Sequence, residues 1–232
     1  AQESEIIQLT MKIRNGEPID YMKGQEVQVI KKSELNTGML LWADQVLVGT
    51  NKMKDIINAQ MRQLQGKEGE PQDGDKVMCL RNYWECFSED ANALVNGTIG
   101  TLEDVYETGI NITPYKTIDN ETRMKIICSN FRTEDEECYY NLNMDKKLFN
   151  GTIPTLDWKT SFKMSKNPRT KGFLPMEFTY AYAITTHKSQ GSEWDKVLVI
   201  EERFPFDKEE HKRWLYTACT RAAKKLVLVK QD

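Results

Sequence analysis

The sequence predicts an α/β fold: a parallel sheet with helices between its strands, discontinuous in the chain and interrupted by a small β-rich insert. Three observations predict it. Strand-like apolar runs alternate with helix-patterned segments over residues 1–95, and the alternation returns over 176–232. Between them, over 96–175, short strand-like runs are separated by turn residues and acidic loops, and no convincing helix is legible. Strands that alternate with helices pack as parallel sheets, whereas runs of short strands pack as small antiparallel units.

The elements follow in order. "SEIIQLTMKIR" (4–14) predicts a helix, with Ser4 as N-cap and Ile6, Leu9 and Ile13 down one side, and "GEPID" breaks it. "QVLVGT" (45–50) predicts a buried strand. It runs directly into "NKMKDIINAQMRQL", where Met53, Ile56, Ile57, Met61 and Leu64 keep helical spacing behind a Thr50 or Asn51 cap. "GEPQDGD" is a loop and "KVMCLRN" (76–82) a strand. "NGTIGTLEDVY", "MKIIC" and "ECYYNL" are the short strands of the insert. "FTYAYAITT" and "KVLVI" are strands joined by the turn "HKSQG". A helix over about 208–222, with Trp214, Leu215 and Ala218 on one face, then leads into the last strand, "KKLVLV".

At 232 residues, with 39% hydrophobic and 9% aromatic content, the chain has material for a substantial core. No apolar run approaches a membrane span and no signal peptide is visible, so a cytoplasmic location is expected. The net charge of −3 argues against a partner held by bulk charge alone. Five scattered cysteines, never spaced C-x-x-C, with only two histidines, predict reduced thiols and no metal site.

Charge is nevertheless uneven. From Lys146 to Lys188 there are eight basic residues against two acids, a net of +6, and the stretch also holds Phe149, Trp158, Phe162 and Phe173. Lysines and arginines interleaved with aromatics, here Lys163, Lys166 and Arg169, suit a single nucleic-acid strand. A solvated loop whose aromatics cover the insert is the competing explanation.

The stretch "TTHKSQGSEW" (185–194) crowds hydrogen-bonding side chains between two buried strands. Ligands of open α/β sheets bind at the carboxyl ends of strands, and Thr, Lys, Ser and Gln suit phosphate oxygens. Gly191 permits a tight turn. A merely solvated turn would look the same. In "LYTACTRAAKKLVLV" (215–229), Thr220 and Arg221 fall near a helix end. There a guanidinium either complements the helix dipole or serves a transferring phosphoryl group.

These segments together carry a resemblance. "YAYAITTHKSQGSEWDKVLVI" resembles motif V of superfamily 1 helicases, "LYTACTRAAKKLVLV" resembles motif VI, and "VLVGTNKMKDIIN" resembles the motif IV strand, turn and helix. "DGDKVMCLRN" followed by "LVNGTIGTL" is similar to the entry into the SH3-like insert of RecD-like helicases, the 5′→3′ subfamily. The resemblance frames nearly the whole chain. It implies a second RecA-like motor domain with an SH3-like β-barrel insert, acting with an N-terminal RecA-like lobe, on ATP and single-stranded DNA.

It also implies roles. His187, with Thr186 and Lys188, would face the strand's phosphates. Gln190, Gly191 and Glu193 would approach ATP, with Glu193 at the ribose, and Arg221 would be the arginine finger with Thr220 beside it. Thr50 and Asn51 would sit on the DNA track, at a helix N-terminus that favours an anion, although capping alone also explains them. No G-x-x-x-x-G-K-[ST] occurs, and the acidic run "TEDEEC" follows no clear buried strand. Mg²⁺ and most phosphate contacts would therefore belong to a first lobe upstream of Ala1, and residues 1–232 alone are expected not to hydrolyse ATP. A non-enzymatic module for single-stranded nucleic acid, the helicase part of a relaxase, and a nuclease-complex subunit of the exodeoxyribonuclease V alpha kind are the alternatives.

Overall fold

The computed structural model describes residues 3–232, which pack into two compact units. The first runs to Gly66 and resumes from Tyr182 to the C-terminus; the second is Lys67–Ala181. Its elements, in chain order, begin with α1 (Glu5–Asn15), β1 (Met22–Lys23), β2 (Val27–Lys31), α2 (Thr37–Trp42), β3 (Gln45–Val48) and α3 (Asn51–Leu64). The second unit contains β4 (Lys76–Cys79), β5 (Tyr83–Phe87), β6 (Ala93–Leu94), β7 (Ile99–Asn111), β8 (Arg123–Thr133), β9 (Cys138–Asp145), α4 (Lys146–Asn150), α5 (Trp158–Lys166) and β10 (Phe178–Tyr180). The first unit then closes with β11 (Ala183–Thr185), β12 (Trp194–Ile200), α6 (Lys208–Cys219) and β13 (Ala222–Lys230).

The first unit is the α/β sheet the sequence predicts. Its strand order is β1-β2-β13-β12-β3-β11, parallel throughout except for β1, which pairs antiparallel with β2. Strands of such sheets are covered on both faces and read as continuous apolar runs; every residue of β3 is buried. Leu40 of α2, with Ile57 and Met61 of α3, closes one core over Val46, Val48, Leu198, Ile200, Val227 and Val229. Helices α1 and α6 pack on each other and against β13, whose alternate residues Leu226 and Leu228 are buried outside that core.

Helix α1 starts where expected: the Ser4 hydroxyl accepts from the Ile6 amide, and Gly16 ends the helix in the left-handed region at φ 70°. Its start is also locked to the β1–β2 turn by two carboxylates that cap each other's backbone. Glu5 accepts from the amides of Glu26 (2.8 Å), Val27 (2.9 Å) and Gln25 (3.3 Å), while Glu26 accepts from the Glu5 amide (2.9 Å) and the Ser4 hydroxyl (2.7 Å). Gly24 leaves the room: a Cβ there would lie 2.2 Å from the Glu5 carboxylate. The amides of Val27 and Glu26 hold the Glu5 carboxyl below its ordinary range. A carboxyl whose acidity is raised by folding contributes stability that is present above its unfolded pKa and is lost as pH falls through its folded pKa. Glu5→Gln is therefore expected to melt below wild type at pH 7. The gap should shrink as pH drops through the carboxylate range, as read from thermal melts across pH 7 to 3.

The second unit is built on a five-stranded antiparallel sheet, β10-β4-β7-β8-β9, beside the β5–β6 hairpin. Because β4 and β10 hydrogen-bond into this sheet, the unit begins at 67 and ends at 181. The expected division at 96 and 175 is corrected accordingly. One core gathers Leu102, Ile127, Phe131, Tyr139 and Phe178, and a second gathers Ile112, Met124, Ile126, Leu156 and Met164. The expectation of no helix over 96–175 is also corrected. α4 and α5 are short, capped by Asp145 and Asp157, and each buries one residue, Phe149 or Met164. One buried side chain leaves no apolar stripe for periodicity to reveal.

Gly100 sits at a close backbone approach between β7 and β8. A Cβ there would stand 2.1 Å from the Arg132 carbonyl oxygen and 2.8 Å from the Phe131 ring. Gly100→Ala forces β7 and β8 apart, and chemical denaturation should show a loss of about 1–3 kcal/mol. An alanine variant as stable as wild type would contradict this packing.

Candidate nucleotide and nucleic-acid site

The candidate site belongs to the first unit and is built around β11. This three-residue edge strand pairs with β3 on one side only, Thr185 opposite Val48. Its other side is supported by α3. The Asn58 amide donates to the Ala183 carbonyl (3.1 Å) and accepts from the Ala183 amide (2.8 Å), with Asn58 3% exposed. One side chain thus satisfies both the N–H and the C=O of Ala183, the first residue of the strand, as a buried backbone requires.

Directly after β11 the chain makes a short 3₁₀ turn over Thr186–Ser189. Thr186 is 2% exposed and donates its hydroxyl to the Val48 carbonyl at 3.4 Å, and buried Ser189 donates to the Thr186 carbonyl at 2.6 Å. The expectation that Thr186 faces a strand is corrected: its hydroxyl ties two strand ends together. His187, Lys188 and Gln190 are exposed. Gly191 takes φ 81°, a left-handed geometry that disfavours a side chain, and the chain descends to β12.

That descent divides the motif between the two edges of the sheet. His187 follows the carboxyl end of β11. Trp194 begins β12 opposite Ala222, the first residue of β13, and its amide donates to the Arg221 carbonyl at 2.9 Å. His187 and Glu193 therefore do not share one strand end, as the spacing suggested; a few residues carry the chain from the carboxyl edge to the amino edge. Glu193, exposed, and Arg221 lie at the amino edge. The Arg221 guanidinium donates to the carbonyls of Thr217 (3.1 Å) and Ser192 (3.3 Å) and to the Thr220 hydroxyl (3.2 Å), so it bridges α6 to the motif V turn. Thr220 caps α6 and donates to Thr217 at 2.9 Å.

Thr50 caps α3 as expected, accepting from the Met53 amide at 3.2 Å, and Asn51 is the exposed first residue of the helix. The anion at this helix start is the protein's own. Glu202 accepts from the amides of Gly49 (2.6 Å) and Thr50 (2.9 Å) and from the Thr50 hydroxyl (2.8 Å). Glu201 faces the other way, accepting from the Gln231 amide (2.8 Å) and contacting His211 Nε2 (2.8 Å), while His211 Nδ1 donates to the Phe204 carbonyl (2.9 Å). These two carboxylates tie the ends of β3, β12 and β13 to α6. The sequence reading missed them; two adjacent acids after a buried strand were the available signal.

A pocket of about 460 Å³ opens beside the turn, lined by Thr186, His187, Gln190, Phe204, Pro205 and the α6 residues Glu210, Arg213, Trp214 and Thr217. Among the described residues no cluster of three or more His, Cys, Asp or Glu could hold a metal ion. No helix among them is long and apolar enough to cross a membrane.

Lys163, Lys166 and Arg169 lie in the second unit, all exposed. Trp158 and Phe162 stack at 5.6 Å on α5, with Lys166 5.4 Å from the Phe162 centroid. Phe149 is buried core, so it leaves the set of stacking candidates. Lys146 pairs with Glu107 (2.5 Å) and Glu70 (3.1 Å), and Lys147 pairs with Asp119. Acids outside the stretch thus neutralise part of the +6 that the linear count gives.

The parallel sheet and the helices on it have a RecA-like fold, and residues 180–229, from the end of β10 into β13, match the family of UvrD-like helicase C-terminal domains. The whole chain is similar in fold to the Pif1 helicase of Candida albicans, with a TM-score of 0.53 at 16% identity over 99% of this chain and 54% of that one. A Bacteroides Pif1 in complex with ADP-AlF3 and ssDNA aligns with a TM-score of 0.48 at 14% identity over 100% of this chain and 52% of that one. An uncharacterized protein of Methanocaldococcus jannaschii is 45% identical over 56 residues, 24% of this chain and 5% of that protein. The chain thus spans about half the length of the Pif1 chains.

Asn58→Ala removes both bonds to Ala183 and leaves a buried peptide pair unsatisfied. A loss of about 2–4 kcal/mol is expected in denaturant melts of the chain. A neutral substitution would show that β11 does not need this support.

Proposed function

We propose that the chain is the C-terminal motor half of an ATP-dependent 5′→3′ DNA helicase of the RecD-like type, working with an N-terminal RecA-like lobe. The observation that carries this reading is the division of one helicase-family segment between two edges of one sheet. His187 stands at the carboxyl edge with exposed donors beside it. Arg221 stands at the amino edge on the end of α6. In this reading the DNA strand runs past His187 and Lys188, while Gln190, Gly191, Glu193 and Thr220 approach ATP. The antiparallel unit is read as the SH3-like insert, with Lys163, Lys166 and Arg169 offering further phosphate contacts.

Arg221 acts by charge. Two of its three acceptors are main-chain carbonyls, which hold the planar fork extended between α6 and the turn. Phosphate oxygens are stronger acceptors, so the guanidinium exchanges partners when the N-terminal lobe brings ATP to this edge. There it stabilises charge that develops as the γ-phosphoryl group transfers to water. In this reading Mg²⁺ is held mainly by the other lobe, since no G-x-x-x-x-G-K-[ST] loop occurs in residues 1–232. The turn and α6, joined through Ser192 and Thr217, link the nucleotide edge to the strand edge.

In the protein carrying both lobes, Arg221→Lys is expected to lower kcat for ATP at least about 10²-fold, with DNA affinity in the absence of nucleotide little changed. His187→Ala should do the reverse, weakening DNA binding with basal hydrolysis less affected. Steady-state ATPase assays and DNA titrations on both variants, with folding checked by thermal melting, decide it. A folded Arg221→Lys protein with near-normal kcat reduces Arg221 to a helix-end cation and sinks the motor reading at this edge.

A further inference from the structure

Helix α5 turns its largest apolar side chains to solvent. It buries Met164 alone, while Trp158 is 78% exposed and Phe162 50%. The two rings lie about one helical turn apart and stack at 5.6 Å with 20° between their planes. Lys166, a further turn on, places its ammonium 5.4 Å from the Phe162 centroid. Indole, phenyl ring and ammonium thus form one continuous row along an exposed helix face.

The helix beneath the row is held at both ends. Asp157 caps it, accepting from the Thr160 amide (2.8 Å) and the Thr160 hydroxyl (2.9 Å), and buried Thr170 donates its hydroxyl to the Met164 carbonyl (3.0 Å). The 3₁₀ turn Lys171–Phe173 packs against α5 and carries a third partly exposed ring, Phe173. Charge separates this surface from the rest of the basic stretch. Lys146 and Lys147 are neutralised by Glu70, Glu107 and Asp119. Lys159, Lys163, Lys166, Arg169 and Lys171 are all exposed, and among the described residues none of the five enters an ion pair. The one acid of residues 157–173 is Asp157, and its carboxylate is occupied by the helix cap.

Exposed apolar surface rimmed by polar groups marks a site of protein interaction, and aromatic and arginine side chains are enriched there. A nucleic-acid strand instead needs ring faces free to stack. The Phe162 ring is already engaged from both neighbouring turns, so the row offers edges and methylenes rather than a ladder of open faces. We propose that α5 docks an acidic segment of another protein that bears apolar side chains, its carboxylates at Lys159, Lys163 and Lys166 and its apolar side chains against Trp158 and Phe162. The cations fix the sign of the partner's charge, and the rings require that it bring more than charge. Lys163 and Lys166 are also read above as phosphate contacts, so the acidic segment and a DNA strand compete for them. The docking itself stands on α5 alone and does not depend on the motor reading.

The test is fluorescence anisotropy of the 232-residue chain with three fluorescein-labelled peptides of about twelve residues at matched salt. The first sets leucine and phenylalanine at every third or fourth position among glutamates; the second replaces its glutamates with glutamine, and the third its apolar residues with alanine. Saturable binding of the first is expected, with the other two at least about 5-fold weaker. Trp158→Ala, and the double variant Lys163→Glu with Lys166→Glu, should each weaken the first at least about 5-fold. Thermal melting checks the folding of both; if Trp158→Ala fails to fold, the peptide series on wild type and the double variant decide. No binding of the first peptide overturns the proposal. Equal binding of the first and third reduces the surface to bare charge and overturns it, as does full affinity in folded Trp158→Ala. A loss of dT₂₀ affinity in Trp158→Ala larger than the loss of peptide affinity gives the row to nucleic acid. Self-association in sedimentation runs, abolished by Trp158→Ala, gives it to a second copy of the chain; either result overturns the assignment to an acidic partner.

Discussion

A three-residue strand with one hydrogen-bonded neighbour would not hold its place unaided. Ladder bonds to β3 satisfy one side of β11, and the buried Asn58 amide satisfies the other at Ala183. Everything that follows in the chain is aimed by this arrangement. Thr186 leaves β11 close enough to bond Val48, Ser189 closes the turn, Gly191 turns the chain downward, and Trp194 arrives against Arg221. A slip of one residue in a strand exchanges its two faces. The two-point amide contact therefore fixes both the height and the facing of the turn.

The Glu201–Glu202 pair does the same work at the neighbouring strand end. Parallel strands end with unpaired backbone groups at one edge, and a ligand site there is also a place where strands fray. Glu202 seals the start of α3, and Glu201 gathers Gln231 and His211. The carboxyl edge is thereby rigid before any ligand arrives, which is how a site built on loops acquires the precision of one built on strands.

What was legible in the sequence was what local chemistry controls. Ser4 and Thr50 cap helices because short oxygen-bearing side chains reach the next turn's amides, and those caps are where they were expected. The buried strands of the first unit announced themselves as apolar runs. The segment holding His187 and Arg221 carried enough of a pattern to be read as helicase motifs, and residues 180–229 match such a family. What was not legible depends on distance in sequence. Asn58 meets Ala183 and Glu202 meets Gly49 across more than a hundred residues. β4 looks like any short strand until its partner β7 is known, so the second unit's boundary could not be placed. α5 buries only Met164 and offered no stripe to read. The charge count over 146–188 was correct as arithmetic and misleading as physics, because Glu107, Glu70 and Asp119 reach in from elsewhere.

The interleaved strand order has a consequence for how this chain acquires its structure. In the sheet β1-β2-β13-β12-β3-β11, β3 has neighbours only from beyond residue 182, and β2 gains its parallel partner only at β13. The segment Lys67–Ala181 is contiguous, so it can complete its antiparallel sheet while the ribosome is still adding residues. The first unit must wait. Until the final strands emerge, the QVLV of β3, buried throughout in the finished fold, has no partner strand on either edge, and the last nine-residue strand closes the ladder. Loss of the C-terminal segment would thus remove more than Arg221: it would strand the opening residues as a hairpin, some helices and an orphan strand, with both edges of that apolar-rich strand left bare.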